Sequence, residues 1–228
     1  ANLQCRDIRI CVTKVWLGTY IKTDIGNLIK YMITTRKELR AYLRQDSLNY
    51  AGQNSGFVTR LKNNMLADTI SDQKYIWKYI RALRHAEYWS NQPRTIINMI
   101  GKCYNLWVLR KLAYKTGFQI PCNVCGPGLT IWHFGSIVVN EHSRIGENCT
   151  FLPGVIVGHK KTGNGCPCIG NNVSLMGGCK VFGDITIGDN VTIGPMAVIV
   201  KDVPANCTVV GNPARIIRKD GERIDEIL

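Results

Sequence analysis

The side chains best suited to chemistry near neutral pH in this 228-residue sequence are four histidines and ten cysteines. An imidazole can take up and return a proton there, and a thiolate can attack a substrate or hold a metal. His133 stands between Trp132 and Phe134, just ahead of a β-branched run, Ile137, Val138 and Val139. A histidine at such a strand end can act as a general base, although taken alone it is better explained as a satisfied histidine at a strand end. The second chemistry open to these residues is metal binding. Cys122/Cys125 and Cys166/Cys168 are close pairs whose thiolates could share a tetrahedral zinc, but their spacing is not that of a usual zinc module. His133, His142 and His159 are three more candidate ligands, at intervals of 9 and 17 residues.

What must position His133 is the stretch that follows it. From 145 to 204 an aliphatic or aromatic residue returns every sixth position: Ile145, Phe151, Val157, Ile169, Leu175, Val181, Ile187, Ile193 and Ile199, with Gly163 as the one break. A period of six fits neither a helix nor plain strand alternation. It predicts a β-helix, in which each hexad buries one side chain in a central column and three hexads close a triangular coil. The fifth position of each hexad is small or modest (Ser143, Cys149, Val155, Val173, Cys179, Val191, Ala197), as an inward corner requires. About four coils result, and residues 18 apart should stack. The histidine intervals of 9 and 17 miss that register, so no metal is expected. Residues 158–168, rich in Gly and Lys, keep the count in sixes but read as a loop leaving the coil. Flat coil faces are often covered by copies of themselves, so an oligomer is expected.

The first half differs in kind. Residues 1–119 carry 20 Lys+Arg against 7 Asp+Glu, whereas 120–228 carry 9 of each, so the whole net charge of +13 sits at the front. Helical spacing is read over about 20–48, from Ser71-Asp72 to about Trp89, and from Pro93 to a capping Gly117. In the third helix Ile96, Ile97, Ile100, Tyr104, Trp107, Val108 and Leu112 are read as a buried face. The divisions expected are a basic helical domain over 1–117, a β-helix over 118–213 and a tail over 214–228. No run approaches the roughly 20 apolar residues a membrane span needs. No secretory signal heads the sequence, and reduced thiols in a cytoplasmic protein are expected. The basic half suits peripheral contact with the inner face of a membrane or another polyanion; nucleic acid is not expected as a partner.

The hexads, the entry HFGSIVV at 133–139 and the closing VGNPARII at 210–217 resemble the hexapeptide-repeat acyltransferases, nearest the serine acetyltransferase-like branch associated with bacterial surface-polysaccharide synthesis. The resemblance is specific over about 106–218. It implies an α+β chain whose N-terminal helical region precedes a left-handed parallel β-helix of hexapeptide repeats. It implies a homotrimer, or a dimer of trimers, with active sites between subunits and acetyl-CoA as donor. His133 then matches the family's catalytic histidine, the base that frees an acceptor hydroxyl to attack the thioester. Gly177 and Pro195 match positions along which CoA lies. Gly158 and Gly178 line the same groove or are tight corners, and Lys201, Arg215 and Lys219 are the cations offered to the nucleotide phosphates.

Three departures bear on the acceptor. Trp132 stands where serine acetyltransferases have an aspartate before the histidine, and is assigned to the acceptor pocket. Phe118 occupies the place of a second aspartate, so the carboxylate that would orient the imidazole is missing from both; Glu141 is a candidate substitute. Cys166 replaces a histidine that precedes a proline. These changes weaken L-serine as acceptor and favour a sugar hydroxyl. A carbonic anhydrase-like zinc hydratase is disfavoured by the histidine spacing. The non-enzymatic alternative is a trimeric scaffold with a basic membrane- or polyanion-binding helical face.

Overall fold

The computed structural model describes residues 31–50, 72–161 and 165–228. The turn cluster at 52–56, the part of the first expected helix before residue 31, and Gly163 lie outside them. Three helices are described: α1 (Arg36–Ser47), α2 (Gln73–Ser90) and α3 (Ile96–Thr116). α1 begins later than its apolar spacing predicts, because Thr35 and Glu38 form a reciprocal capping box that closes off its first turn. α3 runs between two local signals: the Thr35-like cap Thr95, which accepts from the Asn98 N–H, and Gly117 in the left-handed region at φ 80°.

Short strands then wind as coils. They are β1 (Phe118–Gln119), β2 (Thr130–Ile131), β3 (Ile137–Val139), β4 (Arg144–Ile145), β5 (Thr150–Phe151), β6 (Ile156–Gly158), β7 (Cys168–Ile169) and β8 (Ser174–Leu175). After them come β9 (Lys180–Phe182), β10 (Thr186–Ile187), β11 (Thr192–Ile193), β12 (Val198–Ile199), β13 (Cys207–Val210), β14 (Arg215–Lys219) and β15 (Glu222–Ile227). The three faces of the left-handed β-helix are a sheet β1-β3-β6-β9-β12, a sheet β4-β7-β10, and a sheet β2-β5-β8-β11-β13 extended by β14 and β15. All nine residues of the apolar column are buried, as are the fifth positions from Ser143 to Ala197. Strand partners are 18 residues apart in the later coils, such as Thr192 on Ser174, but 24 apart where the 158–168 excursion adds a hexad, as in Cys168 on Arg144. The expected tail at 214–228 is ordered as β14, paired antiparallel on β13, and β15, paired antiparallel on β14.

One corner of the prism is held by a ladder of side-chain amides. Asn148, Asn172, Asn190 and Asn206 all sit at φ between 55° and 59°, a conformation asparagine tolerates better than branched residues. Each donates from Nδ2 to the next, and Asn206 donates to Asp220 at 2.9 Å. Gln45 of α1 joins the near end through Asn148 at 2.9 Å.

The helices close the open end of the β-helix, where the first coil would otherwise leave buried backbone groups unpaired. Arg84 donates to the carbonyls of Cys125 and Gly126 at 2.9 and 2.7 Å. Asp46 accepts from the N–H groups of Gly128 and Leu129, and Glu87 from that of Asn123. The Tyr50 hydroxyl both donates to the Ile131 carbonyl and accepts its N–H. Arg84 is fully buried between Asp46 at 2.8 Å and Glu87 at 3.0 Å. Burial pushes Glu87 up, while the Arg84 guanidinium pulls it back down.

α3 corrects the reading of its apolar stripe. Leu109 and Thr116 face inward, but Ile96, Ile97, Ile100, Tyr104 and Trp107 are exposed. The helix is apolar around most of its circumference, so spacing alone could not choose which side faces the core.

Candidate active site

His133 sits in the turn between β2 and β3, in a bend shaped from both sides. Gly135 has φ 147°, and a Cβ there would meet Pro153 Cβ at 2.7 Å, so the next coil leaves room only for glycine. The Gly135 N–H donates to the Thr116 carbonyl, which ties the bend to the end of α3. The imidazole itself is largely exposed, at 68%.

The N-terminus of α2 grips this bend. Asp72 occupies the N-cap position but makes no side-chain capping bond. Its Oδ2 instead accepts the Phe134 N–H at 2.8 Å and lies 3.7 Å from His133 Nδ1. Gln73 Nε2 donates to the Trp132 carbonyl at 2.8 Å. Tyr75 and Phe118 meet the Phe134 ring edge-on, at 6.1 and 6.5 Å between centroids. Helix and bend thus hold the largely exposed imidazole beside a carboxylate. A carboxylate on Nδ1 fixes ring orientation and stabilises the imidazolium formed after proton uptake. Neither Asp72 nor Gln73 was singled out from sequence, where Asp72 read only as a helix start.

Glu141 does not fill that place: its Oε1 lies 3.7 Å from His142 Nε2. Cys166 contacts Asn140, donating from Sγ to Oδ1 at 3.3 Å, and burial holds its thiol above the ordinary range. Asn140 Oδ1 also accepts the His142 N–H at 2.9 Å. Its amide nitrogen therefore faces His159 Nδ1 at 3.0 Å, which accepts. Among the described residues no three His, Cys, Asp or Glu side chains converge on a common ion.

His133 heads a stacked corner. Below its bend the Gly154 N–H donates to the Ser136 carbonyl, Gly178 to Pro153, Met196 to Gly177, and Val198 to Gly211. Gly177 and Pro195 lie one above the other in this column, two and three coils from the histidine bend, at about 5 Å per coil. The glycines differ in what they need. Gly178 has φ 75° and would drive a Cβ into the Met196 thioether, so its corner is structural. At Gly177 and Gly158 a Cβ would make ordinary 3.6 Å contacts, so neither is the tight corner that Gly178 is. Gly158 is buried in β6. Of the candidate cations, Lys201 donates to the Leu228 carbonyl at 2.9 Å and Arg215 pairs with Asp225 at 2.6 Å. Lys219 is exposed on β14.

Trp132 and Phe134, flanking His133, are 44% and 37% exposed. Two aromatic rings beside a solvent-facing imidazole suit an acceptor with an apolar face and hydroxyl edges.

A family model described as bacterial transferase hexapeptide (six repeats) matches residues 169–201. A serine acetyltransferase of Synechococcus elongatus is 41% identical over 115 residues, covering 49% of this chain and 47% of its own length. One from Staphylococcus xylosus is 44% identical over 114 residues, covering 49% and 53%. The chain thus spans about half the length of the curated relatives it matches. The crystal structure of serine acetyltransferase from Brucella abortus strain S19 aligns with a TM-score of 0.54 at 24% identity, covering 82% of this chain and 71% of that one. The same enzyme in complex with coenzyme A aligns at 0.55, covering 82% and 70%. These shape matches establish the fold.

Proposed function

We propose that this chain, which is similar to hexapeptide-repeat transferases, is an acetyl-CoA-dependent O-acetyltransferase in which His133 is the general base. The observation that carries this reading is the pairing of His133 with Asp72 at the head of the stacked corner formed by Pro153, Gly177 and Pro195. His133 Nε2 takes the proton of an acceptor hydroxyl as that oxygen attacks the acetyl carbonyl. The C–S bond then breaks, the proton passes from His133 to the departing CoA sulfur, and the acetyl ester and free CoA are released. Asp72, on Nδ1, holds the ring and offsets the positive charge it carries between these steps. The donor lies along the corner, past Gly177 and Pro195, with Lys219, Lys201 and Arg215 as candidate partners for its phosphates.

The acceptor is a sugar hydroxyl rather than L-serine. Supporting this, Trp132 replaces a carboxylate, Cys166 with its protonated thiol replaces a histidine, and aromatic rings border the base. The active form is a homotrimer. A 68% exposed imidazole leaves the site open on one side, where Cys166 of a neighbouring subunit would stand opposite His133.

Thiol release from acetyl-CoA, measured against L-serine and a panel of sugars and nucleotide sugars, tests both statements. Turnover with sugars that vanishes in His133→Ala is expected. Faster turnover with L-serine would overturn the acceptor. Absence of turnover with every hydroxyl would return the chain to the scaffold reading.

A further inference from the structure

Among the described residues, α3 has a partner on one side only. Leu109 and Thr116 pack inward, whereas Ile96, Ile97, Ile100, Tyr104, Trp107 and Tyr114 stand out from the opposite side at three- and four-residue spacing. Ile96 is 79% exposed, Trp107 52% and Tyr114 90%. So many large apolar side chains on one turn-after-turn line mark a contact surface rather than chance exposure. Every charged residue of the helix is basic: Lys102, Arg110, Lys111 and Lys115. Lys111 Nζ lies 3.8 Å over the Trp107 ring, so the cation and the ring present together.

The charge decides among occupants. The same face of a second copy would bring Arg110, Lys111 and Lys115 again and no acid to meet them. An anionic bilayer supplies both halves of what the helix lacks: phosphates for the cations and an acyl boundary for the isoleucines. Tryptophan and tyrosine are the rings that favour that depth. The bias is confined to this half of the chain, since residues 120–228 carry equal numbers of acids and bases. We propose that α3 docks on an anionic lipid surface, lying in its plane with Ile96, Ile97, Ile100, Tyr104 and Trp107 sunk below the headgroups. This contact is independent of the catalytic reading.

The test is sedimentation of the full chain with vesicles of phosphatidylcholine alone or with about 30% phosphatidylglycerol, at about 0.05 and 0.5 M NaCl. The unmodified protein should pellet with anionic vesicles at least about tenfold more strongly than with neutral ones, and lose most of that at high salt. The exposed triple change Ile97→Gln, Ile100→Gln, Trp107→Gln should abolish pelleting with helix content and acetyl transfer unchanged. Equal pelleting of variant and unmodified protein would overturn the proposal. Failure of the unmodified protein to pellet would do the same, and a lower mass of the variant by light scattering would then assign the face to a second copy.

Discussion

The carboxylate of Asp72 stands 3.7 Å from Nδ1 of His133, reaching it from the cap of α2 across the bend between β2 and β3. Because the same oxygen accepts the Phe134 N–H at 2.8 Å, one residue both shapes the bend and sets a carboxylate beside the ring. Asp72→Asn keeps an oxygen for the Phe134 N–H and removes the charge. It should lower kcat by about 10- to 100-fold while KM for acetyl-CoA stays within about twofold, and Asp72→Glu should retain more activity than Asp72→Asn. His133→Ala should abolish turnover and leave CoA binding intact. An Asp72→Asn enzyme with unchanged kcat would mean that another group orients the imidazole.

The repeat made the scaffold legible, whereas His133 stood out only through the resemblance carried by residues 133–139. A period of six can satisfy only one architecture, so the column from Ile145 to Ile199 and the stacking of Gly177 on Pro195 follow from counting. Asp72 was not legible, because its contact joins a helix start to a bend some sixty residues on and its local pattern is that of an ordinary helix start. Glu141 illustrates the opposite error: closeness in sequence suggested a partner for His133, yet the coil turns it toward His142. The outward face of α3 was misread for a related reason. Periodicity reports that a stripe exists, and says nothing of what lies against it.

The glycines of the stacked corner separate packing from binding. Gly177 has room for a larger side chain, so Gly177→Val should leave the urea midpoint nearly unchanged. It should raise KM for acetyl-CoA about tenfold or more if the donor lies along this corner. Gly178→Ala must accommodate both φ 75° and the Met196 thioether, and should lose about 1–3 kcal/mol of stability. Paired urea titrations and steady-state kinetics check both. A normal KM in Gly177→Val would move the donor elsewhere.

Arg84 joins the helices to the first coil, bonding two carbonyls and two carboxylates without solvent. Arg84→Ala would strand Asp46 and Glu87 in a buried site, at a cost of about 3–5 kcal/mol. The loss should be read in urea unfolding by circular dichroism. If the bend around His133 depends on this docking, activity should fall even where the variant remains folded. Stability within about 1 kcal/mol of the unmodified protein would refute the idea that this cluster holds the end of the β-helix shut.

Buried thiols should make the protein sensitive to alkali. Burial pushes Cys122, Cys149 and Cys179 up to about 12, from an ordinary value near 8.5. Cys149 also donates to the Gly170 carbonyl at 3.3 Å, a bond only the protonated form can make. A thiol whose pKa is raised by folding contributes stability that is fully present below the unfolded value. That contribution is lost as pH climbs toward the folded value. Between about pH 9 and pH 12 each of these thiols should therefore subtract on the order of 1 kcal/mol per pH unit. Urea midpoints should be flat from about pH 7 to 8 and fall steeply above 9, less steeply in Cys179→Ala. At pH 8 buried Cys149 and Cys179 should resist iodoacetamide in the native state, while exposed Cys103 and Cys168 alkylate first. Labelling of Cys149 or Cys179 at the rate of Cys103 would show that the coil interior opens to solvent well below the denaturation midpoint.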